Sequence, residues 1–289
     1  MKAALRVTTR KGLELRGEIE GDERAPLVLL AHGGGQTRHA WSATAARLAA
    51  EGFTVASYDA RGHGDSDWAP DRDYRMETHA CDMIEMLWAI GRPASVVGAS
   101  MGGVAGLIAT AEAPALVDAL VLVDIVPRFS AGGVERIRSF MLAHPGGFAT
   151  LEEATAAVRA YNPHRGPPRN PQGLLRSLRE RDGRLYWHWD PAVIGDPPGE
   201  ELAAMLSDRL AALPPAMPLL LVSGAQSDVV DPDAIESFRR QAPQAETIAV
   251  QRAGHMVAGD RNDAFGDAIS DLLRRSISIR PPMRRQTPS

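Results

Sequence analysis

The sequence predicts a doubly wound α/β fold with a mostly parallel sheet and a helical cap insertion. Two observations support this prediction. Short, almost continuously apolar runs alternate with stretches of helical apolar spacing along most of the chain. The alternation stops over residues 128–215, where helical patterns are joined by Pro- and Gly-rich turns. Strands that are apolar on both faces are typical of parallel sheets covered by helices on each side.

The core elements follow one another in a simple order. The predicted strands cover residues 27–31, 54–58, 94–97, 116–123 and 219–223. The predicted helices between them cover residues 41–51, 75–91 and 104–113. A hairpin over residues 6–20 is expected to add an antiparallel edge, and a short strand over residues 246–250 is expected near the C-terminus.

Residues 128–215 are interpreted as a cap that is inserted between two strands of the core. Its helical segments cover residues 134–142, 151–161, 174–180 and 202–213, and we predict no strand there. The core therefore comprises residues 1–127 and 216–276. The last residues, 277–289, are rich in Pro and Arg and are expected to form a flexible tail.

The most informative motif is Gly98-Ala99-Ser100-Met101-Gly102, which has the G-x-S-x-G arrangement. It follows a predicted strand and precedes a run of small residues that is typical of a helix packed closely on a sheet. A serine at such a turn adopts strained backbone geometry, and the flanking glycines leave room for the tight turn. The hydroxyl is then exposed above the sheet, so Ser100 is the candidate nucleophile.

A second glycine-rich segment, HGGG at residues 32–35, follows the strand 27–31. Sites in parallel α/β sheets form at the carboxyl ends of the strands. Glycine N–H groups can point into such a site without obstruction by side chains. We predict that Gly34, or alternatively Gly35, supplies one donor to a developing oxyanion and that Met101 supplies the other.

A serine hydroxyl is a weak nucleophile until a base takes its proton. His255 is the candidate base, because it lies in a loop just after a predicted strand. Its imidazole needs a carboxylate that fixes the tautomer. We predict Asp228 for this role, with Asp124 at the end of the preceding strand as the alternative. His32 and His63 are interpreted as residues that hold loops together.

Together these motifs resemble the α/β-hydrolase family over nearly the whole chain. The matching pieces are HGGG at residues 32–35, DARGHGDS at 59–66, GASMGG at 98–103, SDVV at 227–230 and GHMV at 254–257. The resemblance implies Ser100 as nucleophile, His255 as general base and Asp228 as its partner, with a backbone oxyanion hole. Haloalkane dehalogenases and epoxide hydrolases of this fold carry Asp at the position of Ser100, which argues against both activities.

The sequence therefore predicts a carboxylesterase-like serine hydrolase that cleaves a small to medium, largely apolar ester through an acyl-enzyme. Hydrolysis of a carbon–carbon bond, cofactor-free perhydrolase activity and a non-catalytic small-molecule receptor on this fold are the alternatives. Gly35, Tyr161, Trp187 and Trp189 are predicted to bind substrate. The aromatic rings have a second interpretation, which is that they pack the cap on the core. His188 lies between the two tryptophans and is a further candidate contact for substrate.

The composition indicates which classes of binding partner and which cellular compartment to expect. The net charge of −4, from 36 acidic and 32 basic side chains, gives no electrostatic reason to expect nucleic acid or an anionic membrane. We find no metal-ligand spacing and no dinucleotide fingerprint, so we expect neither a metal nor another cofactor. A single cysteine and the lack of a signal-like N-terminus favour the cytoplasm. The sequence does not predict an oligomeric state.

Overall fold

A central sheet of eight strands organises the chain, of which a computed structural model describes residues 2–162, 171–195, 199–257 and 262–278. The sheet contains β1 (Lys2–Thr8), β2 (Glu14–Glu20), β3 (Leu27–Ala31), β4 (Thr54–Tyr58), β5 (Ala94–Ala99), β6 (Val117–Val123), β9 (Leu219–Gly224) and β10 (Glu246–Val250), while β7 (Leu178–Arg181) and β8 (Arg184–Trp187) pair with each other outside it. The order in the sheet is β1-β2-β4-β3-β5-β6-β9-β10. Strand β2 runs antiparallel to both of its neighbours, and the remaining pairs are parallel.

Helices cover both faces of this sheet. The described α-helices are α1 (Ser42–Ala50), α2 (Met76–Ile90), α3 (Met101–Glu112), α4 (Ala131–Leu142), α5 (Leu151–Tyr161), α6 (Glu200–Ala211), α7 (Pro232–Gln241) and α8 (Asn262–Ser278). Helices α1 and α8 pack on one face, and α2, α3, α6 and α7 pack on the other. The three layers are those of a doubly wound α/β fold.

Strand β3 illustrates why the core strands are apolar throughout. All five of its residues are buried. Successive side chains point to opposite faces, so Leu29 enters one core cluster while Val28 and Leu30 enter the other. Burying one such aliphatic side chain contributes about 1.5–3 kcal/mol. The predicted strands of the core and the N-terminal hairpin are confirmed, with shifts of a few residues at their ends.

The segment between β6 and β9 differs from the prediction in one element. Residues 174–180 were expected to be helical and no strand was expected. Instead, a 3₁₀ turn over Pro171–Ser177 leads into an antiparallel hairpin of β7 and β8. Its turn is Asp182-Gly183, and both residues have positive φ angles, of 52° and 71°. Asp-Gly is a preferred pair for a two-residue hairpin turn.

Helices α4, α5 and α6 agree with the helical patterns of residues 128–215, whose limits as a cap stay a prediction. Helix α8 continues to Ser278, so the first two residues of the expected tail are helical, and the others lie outside the described residues. Among the helices that the structure describes, none is long and apolar enough to cross a bilayer.

Candidate functional site

Ser100 occupies a strained turn between β5 and α3. Its φ and ψ angles are 47° and −115°, a conformation that non-glycine residues rarely adopt. The neighbouring glycines are required sterically. A Cβ on Gly98 would lie 2.4 Å from the carbonyl oxygen of Gly102, and a Cβ on Gly102 would lie 2.5 Å from that of Ala31. The turn therefore presents the Ser100 side chain at the carboxyl edge of the sheet.

His255 is held by a buried carboxylate at the same edge. Its Nδ1 lies 2.8 Å from Oδ2 of Asp124, which directly follows β6 and is fully buried. The other oxygen of Asp124 accepts the N–H of Gly224 at 2.9 Å, and Ser227 Oγ donates to Oδ2. These donors fix the carboxylate. With Nδ1 bonded to it, the imidazole keeps Nε2 for a second partner.

The carboxylate that contacts His255 is thus Asp124 and not the predicted Asp228. Asp228 instead pairs with Arg136 of α4, at 2.7 Å between Oδ2 and Nε, and its side chain is 37% exposed. The reason is local. Ser227 Oγ accepts the N–H groups of Val229 and Val230, both at 3.1 Å. This turn directs Ser227 towards Asp124 and leaves Asp228 facing α4.

The same turn contacts α4 along its backbone. The N–H of Ser130 donates to the carbonyl of Val229 at 2.8 Å. Helix α4 approaches so closely that a Cβ on Gly133 would lie 2.3 Å from the carbonyl oxygen of Asp228. One short loop therefore contacts both Asp124 and the segment that follows β6.

The glycine-rich loop after β3 leaves one amide unused within the part of the chain that the structure describes. The Gly33 N–H donates to Oε1 of Gln36, and the Gly35 N–H donates to Nε2 of His63, both at 3.1 Å. The Gly34 N–H has no acceptor among the described residues. The Met101 N–H, in the first turn of α3, has none there either.

Three buried imidazoles hold this loop in place. His32 Nε2 accepts the Ala60 N–H, His63 Nε2 accepts the Gly35 N–H, and His188 Nδ1 accepts the Gly64 N–H. An imidazole nitrogen that accepts a hydrogen bond carries no proton, so the ring is neutral. Burial, the largest cause, lowers the pKa of His32 to about 4, of His63 to about 3 and of His188 to about 2. The interpretation of His32 and His63 as loop-holding residues is confirmed.

His188 belongs with these structural histidines rather than with the substrate contacts. Its ring lies 5.9 Å from that of His63, and it is 1% exposed. It does not line the cavity described next, within the described residues. The structure therefore places His188 outside the described cavity wall, although the sequence suggested it as a contact for substrate.

A cavity of about 620 Å³ opens above Ser100 and His255. The predicted residues Gly34, Gly35, Met101, Tyr161, Trp187 and Trp189 all line it. The two tryptophan rings are stacked, with centroids 4.9 Å apart and an interplanar angle of 12°. Trp187 also contacts Phe148 edge-on, so it both lines the cavity and packs on the segment between α4 and α5.

Part of the apolar wall was not predicted. Ile137, Phe140 and Met141 of α4 face the cavity, and Phe140 stacks on Tyr161 with ring centroids 4.3 Å apart. Phe140 and Met141 follow Ile137 by three and four residues, which places the three side chains on one face of the helix. That pattern was present in the predicted helix 134–142 and identifies these side chains once the helix is known to cover the site.

Comparison with known proteins agrees with this architecture. Residues 26–261 match the family model of the α/β-hydrolase fold. The chain is 31% identical to an esterase, Rv0045c of Mycobacterium tuberculosis, over 86% of this chain and 83% of that protein. It is 29% identical to the sn-1-specific diacylglycerol lipase ABHD11 of Mus musculus, over 88% of this chain and 83% of the lipase.

Solved structures show the same similarity in three dimensions. The Rv0045c esterase superimposes with a TM-score of 0.77 at 27% identity, and covers 95% of this chain and 92% of its own. An α/β hydrolase of Novosphingobium aromaticivorans superimposes with a TM-score of 0.80 at 27% identity. The match covers 95% of this chain and 98% of that hydrolase. With the family model matching most of its length, this chain belongs to the α/β-hydrolase family.

Proposed function

We propose that this hydrolase cleaves a small to medium, largely apolar carboxylic ester through an acyl-enzyme. The observation that supports it best is the pairing of His255 with the buried Asp124 at the cavity that Ser100 lines. A serine nucleophile, an imidazole base and an orienting carboxylate are the three groups that acyl transfer requires. The esterase and lipase among the relatives agree with this chemistry.

In the proposed first step, the Ser100 hydroxyl attacks the ester carbonyl while His255 Nε2 takes its proton. The charge on the resulting imidazolium is stabilised by Asp124, whose buried oxygen lies 2.8 Å from Nδ1. The imidazolium then gives the proton to the departing alcohol oxygen. This leaves the acyl group on Ser100 and the imidazole neutral.

The negative charge on the tetrahedral oxygen needs donors that are already in position. We assign this role to the N–H groups of Gly34 and Met101, because both line the cavity and neither has another described acceptor. Removing one such donor costs about 2.7–4 kcal/mol in a measured case. Water, activated by His255, then hydrolyses the acyl-enzyme through the same sequence of proton transfers.

The apolar lining of the cavity supports an apolar acyl or alcohol group. Trp187, Trp189, Phe140 and Tyr161 present ring surface to it, and each buried aromatic ring removes on the order of 150–250 Å² from water. A substrate of moderate size fills a cavity of about 620 Å³.

The test is turnover of p-nitrophenyl butyrate together with labelling by a fluorophosphonate. The wild-type protein is expected to hydrolyse the ester and to be labelled, and Ser100→Ala is expected to lose both while keeping its melting temperature. Ser95→Ala, a serine within β5, is the matched control and should still be labelled. Labelling of Ser100→Ala at another serine would contradict the assignment of the nucleophile. No turnover by the wild type would contradict the proposed function and favour a receptor.

A further inference from the structure

The cavity above Ser100 is cationic at one end. Arg159 and Arg176 line it, and no Asp or Glu does so among the described residues. A binding site with one sign of charge selects ligands of the opposite sign. This asymmetry is independent of the catalytic groups, because it lies on α5 and on the 3₁₀ turn Pro171–Ser177.

The two guanidinium groups are available to a ligand. Both arginines are exposed, and no ion pair or side-chain hydrogen bond joins either of them to another residue that the structure describes. Arg136 and Arg209, by contrast, have partners: Arg136 pairs with Asp228, and Arg209 pairs with Glu112. Arg159 and Arg176 therefore offer unpaired cations where they line the cavity.

Arg159 and Arg176 lie on elements that pack against each other, the last turn of α5 and the 3₁₀ turn that follows. Arg176 also approaches His39 of the core. The pKa of His39 is lowered mainly by burial, and the nearby cations Arg38 and Arg176 lower it further. The two arginines thus lie where residues 128–215 approach the core at His39.

The local sequence extends this positive character. In the described parts of this stretch, residues 154–162 and 171–179, there are three arginines and no Asp or Glu, although the whole chain has more acidic than basic side chains. The cavity wall that also carries Ser100 is largely apolar, with Val158, Tyr161 and Trp187 among its residues. A ligand that fits this arrangement has an apolar middle and an anionic end.

We propose that the preferred substrates are esters whose apolar chain ends in a carboxylate, which Arg159 and Arg176 bind at the mouth of the cavity. This assignment rests on the proposed esterase function and names its substrate class. The planar guanidinium matches a carboxylate with two parallel hydrogen bonds. Because the arginines are exposed, salt is expected to weaken the preference.

The test uses aryl esters of one length and three charges. These are the mono-p-nitrophenyl ester of adipic acid, p-nitrophenyl heptanoate as its neutral counterpart, and p-nitrophenyl 6-aminohexanoate as the cationic one. The monoesters of pimelic and suberic acid vary the distance between the carboxylate and the scissile bond. We expect kcat/KM to be highest for the anionic ester, lower for the neutral ester and lowest for the cationic ester. For the monoester of best length, the anionic-to-neutral ratio is expected to be roughly ten, which corresponds to about 1.4 kcal/mol of binding free energy.

Variants then assign the preference to the arginines. Arg159→Gln and Arg176→Gln are each expected to lower the anionic-to-neutral ratio of kcat/KM several-fold, and the double variant is expected to bring it close to one. The change should be mainly in KM. Arg179→Gln is the matched control, since it removes the same charge from β7, at a residue that does not line the cavity. Its ratio should equal that of the wild type.

The outcomes separate this inference from the esterase proposal. If no aryl ester is hydrolysed, the proposed function itself fails. If the neutral ester is hydrolysed but no anionic monoester of any length is preferred, the carboxylate site is refuted and the esterase stands. A preference that survives in the double variant, or that Arg179→Gln removes equally, would also refute the assignment.

Discussion

Asp124 combines burial with an unusual backbone conformation. Its φ angle is 52°, in the left-handed region, which Asp tolerates better than most residues. The conformation aims the carboxylate at His255 while the backbone N–H bonds to the carbonyl of Val222 at 2.8 Å. Strain of this kind costs on the order of 1–3 kcal/mol and is common where a side chain must be positioned for chemistry.

The first prediction compares the two aspartates. Asp124→Asn is expected to lower kcat on p-nitrophenyl butyrate by orders of magnitude, because an amide favours the wrong imidazole tautomer; about 10⁴ is known for the analogous change in another triad. Asp228→Asn should lower kcat only slightly. Its exposed pair with Arg136 is worth about 0.2–1 kcal/mol. Steady-state kinetics of both variants measure the difference, and the opposite ranking would return the role to Asp228.

The sequence could not choose between these residues. Both aspartates lie between Ser100 and His255 in the chain, and both follow a predicted strand, so chain order is the same for either. The choice depends on side-chain directions set by the Ser227 turn. By contrast, the glycine-flanked turn at Ser100 and the loop position of His255 were predictable, because both are local features of the sequence.

At the scale of elements, the β7–β8 hairpin carries part of the cavity wall. Trp187 ends β8 and Trp189 follows it. Trp189 is 4% exposed, and its ring lies over Gly35, where a Cβ would be 3.5 Å from Cζ3. The two rings thus differ in role: Trp187 is less buried and lies between hairpin and cavity, whereas Trp189 packs against the glycine-rich loop.

The second prediction follows from this difference. Trp187→Ala is expected to change the chain-length preference among p-nitrophenyl esters, since each lost methylene-sized contact is worth roughly 1–3 kcal/mol of selectivity. Activity on the acetate should change less. Trp189→Ala is expected to lower stability by about 3–5 kcal/mol, as for other buried tryptophans. Trp88→Ala, on an exposed face of α2, is the control. Equal losses on all esters for Trp187→Ala would show that its ring only packs.

The hairpin was missed because its strands are short and polar on one side. Its sequence, LRERDGRLYW, has only a few apolar residues, and neighbouring helices favoured a helical interpretation. The Asp-Gly pair was the available signal. The central strands β3, β4, β5, β6 and β9 were predictable because they are buried on both faces and are mostly apolar, whereas a hairpin outside the sheet has no such constraint.

At the scale of the whole molecule, His32, His63 and His188 join three distant parts of the chain. All three are fully buried and have a pKa well below the usual 6.5. The unfolded chain takes up protons at these residues below pH 6.5, while the folded protein does not until near pH 4 and lower. Stability is therefore lost as the pH falls through this window, by up to about 1.4 kcal/mol per pH unit for each imidazole.

The third prediction tests this dependence by urea unfolding between pH 7 and pH 4. The free energy of unfolding should fall steeply towards pH 4. In His188→Asn the amide oxygen can still accept the Gly64 N–H but cannot titrate. The slope of the unfolding free energy against pH should therefore be smaller by about the contribution of one histidine. His144→Asn, at an exposed turn of the segment after β6, is the control. An equal slope in His188→Asn and wild type would show that His188 does not titrate in this way.

The loop from Gly224 to Val230 has a consequence for protein engineering. Ser227 holds the carboxylate that orients His255, and the adjacent Asp228 holds α4, the helix that supplies much of the cavity wall. In the proposed mechanism, this loop therefore links the wall that selects the substrate to the groups that carry out the chemistry. A chimera that receives residues 128–215 from another hydrolase must keep a small residue at the place of Gly133, because a Cβ there would lie 2.3 Å from the carbonyl oxygen of Asp228. A larger residue would displace the loop whose Ser227 holds Asp124.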